Sequence, residues 1–168
     1  VTKYVGQIDP EDFIPSSARD KDVMYAELMA VAESLTDVHL RNLVRGVFSD
    51  PDIAGKFKTW PAAKEVHHVC VGGLLEHTLA VVKLCEASAV LYAVNRDLLI
   101  AGAMLHDVGK LEELESGLLV TYTDVGRLYG HSLLGVNFVR DRIVTVSDFP
   151  DQLRDGLLHI IVSHLGKR

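Results

Sequence analysis

From Asp20 onward the chain repeats one pattern: apolar residues return every third or fourth position, and the runs open on side chains that can cap a helix. That period suits an amphipathic helix, because a half-buried strand would alternate by twos. Asp20 stands before Val23, Met24, Leu28, Val31, Ala32 and Leu35, which predicts a helix of about four turns. Asp37 precedes Leu40, Leu43, Val44 and Val47, and Asp50-Pro51 reads as the cap and first residue of a short third helix, with Trp60-Pro61 as punctuation after it. A long, mostly buried helix is expected over 74–94, after Gly72-Gly73. Asn95 closes it and caps the next, 96–107, which Gly109 and Lys110 stop. Helical period resumes over 127–146, pauses at Asp148-Phe149-Pro150 and restarts through Leu153, Leu157, Leu158, Ile161 and Val162.

Two stretches depart from this period. Residues 111–124 alternate more nearly by twos around Ser116-Gly117, which predicts a β-hairpin. Residues 1–19 carry Gly6, Pro10, Pro15 and Ser16-Ser17 without helical spacing and read as an extended arm or linker. The expected fold is therefore all-α: a helical bundle over 20–168 with a small hairpin insertion and an N-terminal arm over 1–19. A length of 168 residues suits one core of this kind.

Composition excludes several classes. With 48% hydrophobic and 24% charged residues, the chain is neither disordered nor fibrous. Its longest apolar run, Leu98 to Leu105, is far short of the roughly 20 residues of a membrane span. Cys70 and Cys85 show no CxxC spacing, so neither a disulfide framework nor a zinc knuckle is expected, and a cytoplasmic setting fits. The start lacks an initiating Met, a basic leader and an apolar segment, which reads as no signal peptide and as a fragment or processed chain. Net charge is −6 and no Lys/Arg run occurs, which disfavours a nucleic-acid-coating role. A metal-dependent nucleic-acid enzyme stays open, because bound cations reverse the local sign.

Chemistry concentrates in the histidines, seven of the eight lying after Glu65. His106-Asp107 pairs an imidazole with a carboxylate, the donor mixture that suits divalent transition metals, and the carboxylate can bridge two ions. His77, His131, His159 and His164 fall in expected helices, and helices packed around one core can bring such rings together. On an ideal helix His159 and His164 are about 140° apart, so a straight helix cannot turn both toward one metal. His164 is the preferred ligand, and His159 has a direct or a supporting place. His39 reads as structural. His67 and His68 read as helix-end or surface groups, with His68 kept as a candidate ligand or supporting residue. Both cysteines read as small core residues.

In order along the chain, Pro61-Ala62-Ala63-Lys64, His67-His68, Gly72-Gly73-Leu74-Leu75-Glu76-His77-Thr78, Leu105-His106-Asp107-Val108-Gly109-Lys110, Tyr122-Thr123 to Gly126, Gly130-His131 and Ser163-His164 resemble the HD-domain metal-dependent phosphohydrolases. Within them the chain is most similar to the YhaM-type 3′→5′ exoribonucleases, over residues 10–168. The resemblance implies that His77, His106, Asp107, His131 and His164 bind one or two divalent ions, manganese foremost, with Fe²⁺, Co²⁺, Zn²⁺ or Mg²⁺ as alternatives. It implies that Asp107 bridges where two ions bind, that Lys110 faces the substrate phosphate, and that residues 1–15 are the exit of a preceding oligonucleotide-binding barrel. The implied reaction is hydrolysis of RNA or single-stranded DNA 3′ ends by metal-activated water. A nucleotide or cyclic-nucleotide phosphohydrolase is the alternative, as is a metal-binding or regulatory module without turnover. Two departures motivate the last: Leu165 stands where the pattern has a second His, and the chain stops at Arg168 before a later Asp ligand. No membrane partner is expected, and the sequence does not specify an oligomeric state.

Overall fold

Helices begin at the caps read from the sequence. In the computed structural model, which describes residues 16–63, 70–116 and 119–166, the Asp20 side chain accepts from the backbone N–H groups of Asp22 and Val23. Asp37 accepts from His39 and Leu40, Asp50 from Asp52 ahead of Pro51, and Asn95 from Leu98. Each such cap contributes about 1 kcal/mol by satisfying N–H groups that have no partner within the helix. The helices that follow are α1 (Lys21–Glu33), α2 (Val38–Phe48), α3 (Pro51–Thr59), α4 (Gly73–Leu91) and α5 (Arg96–Leu105). The short α6 (Lys110–Glu113), the strands β1 (Leu114–Glu115) and β2 (Thr121–Tyr122), and the long α7 (Asp124–Ile143) and α8 (Asp151–Ser163) complete the order.

The apolar stripes meet in one core. α5 is its centre, packed on α2, α4 and α8, while α7 packs against α6 and α8, and α1 and α3 pack on α4. Met24, Leu28, Leu43, Phe48, Phe57, Leu74, Leu79, Ile100, Met104 and Ile161 are essentially inaccessible. A buried carboxylate links two helical layers: Asp97 Oδ2 on α5 accepts from the Thr36 and Asp37 N–H groups, each at 2.6 Å, and from the Thr36 hydroxyl at 2.7 Å. The loop between α1 and α2 is thereby fastened to the central helix. The Tyr25 hydroxyl likewise donates to the Phe48 carbonyl, and burial together with Asp50 raises its pKa to about 12.

The all-α expectation with a small hairpin agrees with the structure, and several boundaries shift. The hairpin is reduced to two antiparallel pairs, Leu114 with Tyr122 and Glu115 with Thr121, and Gly117 at its expected turn lies outside the described residues. α7 starts at Asp124 rather than 127, because Thr123 caps it through the Gly126 N–H, and it ends at Ile143 rather than 146. Inside α7, Gly130 has φ +68° and ψ 159°, a break that helical period cannot reveal because the apolar stripe continues through it. His106 and His164 stand at helix C-caps rather than inside helices. Of the arm, residues 1–15 lie outside the described part. Its end is fastened: Ser16 bridges Val71 in parallel, and the Ser17 N–H donates to the Val71 carbonyl at 3.0 Å. Among the described residues no helix is long and apolar enough to cross a membrane.

Candidate metal centre

Burial of the apolar run 98–105 delivers His106 at the end of α5 and Asp107 in the turn after it. Gly109 then lets this turn press directly on α7, because a Cβ there would lie 2.0 Å from the His131 carbonyl oxygen and 2.5 Å from the Gly135 nitrogen. His131 is thus held beside the turn. His77 reaches the same place from α4 and His164 from the end of α8.

Asp107, only 2% exposed, directs its two oxygens at different partners. Oδ2 lies 3.3 Å from His77 Nε2, 3.2 Å from His106 Nε2 and 2.7 Å from Lys110 Nζ. Oδ1 lies 3.4 Å from His131 Nε2 and 3.6 Å from His164 Nε2. The result is two donor groups sharing one carboxylate: His77, His106 and Asp107, and Asp107, His131 and His164. Each can hold a metal ion.

Three of the four rings are oriented alike. Nδ1 of His106 lies 2.8 Å from the Ala103 carbonyl, Nδ1 of His164 lies 2.6 Å from the Ile161 carbonyl, and Nδ1 of His131 lies 2.9 Å from the Glu113 carboxylate. These oxygens only accept, so Nδ1 carries the proton and the Nε2 lone pair faces Asp107. A lone pair facing a carboxylate oxygen is repulsive unless a cation stands between them.

The donor set fits a divalent ion. Two donors bound at about 2.1 Å to one cation lie about 3.0–3.4 Å apart, depending on the angle. The 3.2 Å between the Nε2 atoms of His77 and His106 and the 3.2 and 3.3 Å to Asp107 Oδ2 fall in that range, while the second group is slightly wider. Nε2 of His131 and of His164 are buried with no hydrogen-bond partner, a cost of about 1–3 kcal/mol each that coordination removes. Without an ion, protonated imidazoles take the cation's place beside the carboxylate, and the protonation equilibria follow. Burial pushes the Asp107 carboxyl up, but the imidazoles of His106, His164 and His77 outweigh it and hold the group well below the carboxylate range. Burial lowers His164, and the adjacent Asp107 more than reverses this, raising its pKa above the ordinary imidazole value.

A cleft of about 500 Å³ opens over these groups. One side is ionic; the other is a wall of Val81, Cys85, Leu99, Ala103, Ile160 and Leu165. Leu165 at the rim is 42% exposed and offers no donor atom.

The structure therefore brings His77, His106, Asp107, His131 and His164 together. Lys110 also lines the cleft, although its ammonium rests on Asp107 rather than standing clear. His159 lies exposed on α8, outside both donor groups, because the geometry of a straight helix turns it away from His164. His67 and His68 lie outside the described residues. His39 is half-buried edge-on to Phe149, with ring centroids 6.0 Å apart, as a structural residue. Cys85 is a partly exposed thiol of the cleft wall, and both described cysteines are free.

Glu113 is the residue that the sequence did not disclose. Its carboxylate accepts from the backbone N–H of His131 at 3.1 Å as well as from the ring. In a continuous helix that N–H would bond four residues back, and the break at Gly130 releases it to Glu113. The only sequence signal is a Glu in an acidic stretch, which by itself looks like solvated surface.

A model of the HD domain matches residues 74–168. The chain is 32% identical over 161 residues to a 3′-5′ exoribonuclease YhaM of Listeria welshimeri, covering 95% of the chain. It is 33% identical to the protein of that name in Listeria monocytogenes and 31% identical to that of Bacillus velezensis, covering 95% and 94% of the chain. The chain spans about half the length of these relatives, 50%, 50% and 49% respectively. No solved structure matches it significantly.

Proposed function

The chain belongs to the HD domain family, and from that premise we propose that it is a divalent-metal-dependent phosphohydrolase acting as a 3′→5′ exonuclease on single-stranded RNA or DNA. The observation that carries this reading is the division of four imidazoles between the two oxygens of one buried carboxylate. The relatives' printed name supports the substrate and direction of digestion. Residues 20–168 form the catalytic module, and residues 1–19 are the connection to an oligonucleotide-binding domain.

In this reading His77, His106 and Asp107 hold one ion and Asp107, His131 and His164 a second, with manganese the preferred metal. A divalent ion there supplies Lewis acidity toward a phosphoryl oxygen and brings the acidity of water toward neutrality. The protein's part is orientation. Ala103, Ile161 and Glu113 hold three imidazoles with Nε2 inward, and Asp107 anchors both groups. Lys110, which lines the cleft beside Asp107, would give its ammonium to a substrate phosphate oxygen. The apolar wall limits water around the reacting ester and receives the organic part of the substrate. Two free cysteines fit a cytoplasmic site of action.

Manganese-dependent shortening of a 5′-labelled oligonucleotide tests the proposal. The intact protein is expected to release nucleoside monophosphates, and His106→Ala and Asp107→Ala to lose at least about 100-fold in rate; undiminished activity in both variants overturns it. A net charge of −6 and a cleft of one-nucleotide scale favour a mononucleotide phosphohydrolase as the second reading. Equal concentrations of oligonucleotide and mononucleotide in competition separate the two.

A further inference from the structure

Three hollows adjoin on the face that carries His131. Beyond His131 and Leu165, which line the metal cleft, a second hollow of about 300 Å³ runs along Tyr129, Gly130 and Leu133. It shares Tyr129 and Gly130 with a third of about 370 Å³, bounded by Tyr122, Arg127 and Leu128. The shared lining sets the three hollows side by side, the first of them over Asp107. The volumes along this track lie at the lower end of small-ligand sites, about 300 Å³ and upward.

The chemistry of the track is aromatic rather than cationic. Tyr122 is 40% exposed and Tyr129 is 56% exposed, although burying such rings is favourable. Among the residues lining the three hollows, Arg127 and Lys110 are the cations, against a chain of net charge −6. Such a surface grips a polyanion by the faces of its bases more than by its phosphates, because every base has a π-face and stacking needs no clustered charge.

We propose that this track binds single-stranded nucleic acid upstream of the cleft, with bases stacked on Tyr122 and Tyr129 and a phosphate against Arg127. The inference rests on the exonuclease reading for what happens at the far end, and it assigns the polymer-binding surface that the reading lacks. The break at Gly130 shapes the track, since it turns Tyr129 and His131 onto different courses at the junction of two hollows.

Anisotropy of a fluorescent oligoribonucleotide, titrated in EDTA so that no hydrolysis intervenes, measures this directly on the full chain. Tyr122→Ala and Tyr129→Ala are each expected to weaken Kd about tenfold, the size of one lost base–aromatic stack. The Phe variants, which keep the ring, should stay within about twofold of wild type and control for folding. With two phosphates neutralised, raising salt fourfold should weaken binding only about sevenfold. An unchanged Kd in both Ala variants overturns the track, and so do Phe variants as weak as the Ala ones. Tyrosine-dependent binding without shortening of the RNA in manganese would sink the exonuclease reading and leave the track standing. Shortening with a Kd indifferent to the tyrosines does the reverse.

Discussion

Glu113 carries more of the site than its position in an acidic stretch suggests. It accepts from both the ring and the backbone of His131, so it sets the tautomer and the direction of that imidazole at once. Glu113→Gln keeps the shape but presents an amide that can be turned to donate, and it removes the charge that makes His131 a stronger donor. Loss of such a partner costs roughly 10–100-fold in metal affinity. Titration of the variant with Mn²⁺ by calorimetry should show that loss while circular dichroism stays that of wild type; an unaltered affinity would show that His131 is oriented by packing alone. The five candidate donors of the cleft were legible because their residue types and blocks are local to the sequence. Glu113 was not, since its partner His131 lies across the fold on another helix.

Two glycines show how helices reach this site, and they differ in kind. Gly109 is needed for close approach, and Gly130 for backbone conformation. A methyl group at Gly109 would meet the His131 and Gly135 backbones, which cannot move aside as a flexible side chain can, so Gly109→Ala should cost about 3 kcal/mol or more. Gly130 has open space for a Cβ, with Glu113 Oε1 at 4.0 Å, but its φ of +68° with ψ 159° is a region essentially reserved for glycine. Gly130→Ala is therefore expected to cost about 1–3 kcal/mol by strain or to restore a continuous helix. In the second case the His131 N–H leaves Glu113 and metal affinity falls with little loss of stability. Urea unfolding beside metal titration distinguishes these outcomes, and a variant unchanged in both would refute the role given to the break. Helix starts were readable because a cap and its first turn are neighbours in sequence. The break in α7 was hidden because its apolar residues keep helical spacing on both sides of it.

The site and the bundle are coupled through stability. Its candidate donors come from α4, the turn after α5, α7 and the end of α8, so an ion held by them in the folded state alone would stabilise all four together. At 100 times its Kd, such an ion contributes about 2.7 kcal/mol. Manganese should then raise the unfolding midpoint by roughly 5–10 °C for a domain of this size, and Asp107→Asn should abolish the rise. A midpoint indifferent to metal would refute the donor assignment whatever the activity. The fastening at Asp97 answers to pH instead. Burial opposes its ionisation, but the Asp37 N–H, the Thr36 hydroxyl and N–H, and Arg96 outweigh that and lower its pKa. Its contribution is thus complete above the unfolded value of about 3.9 and lost as pH falls through the lower folded value. Thermal unfolding of Asp97→Asn should start lower at pH 6 and fall less steeply below pH 4 than that of wild type. Parallel curves would mean that the carboxylate adds nothing.

Periodicity and capping determine which segments of this chain become helices, because both act between residues a turn apart. The types and order of the motif blocks mark which imidazoles and which carboxylate are candidates for a metal. Their meeting point belongs to the tertiary fold. Only packing turns His164 inward and leaves His159 outside, divides the imidazoles between the oxygens of Asp107, and aligns the tyrosines with the cleft. These are distances between segments far apart in the chain, set by how side-chain volumes fill one core, and no local pattern encodes them.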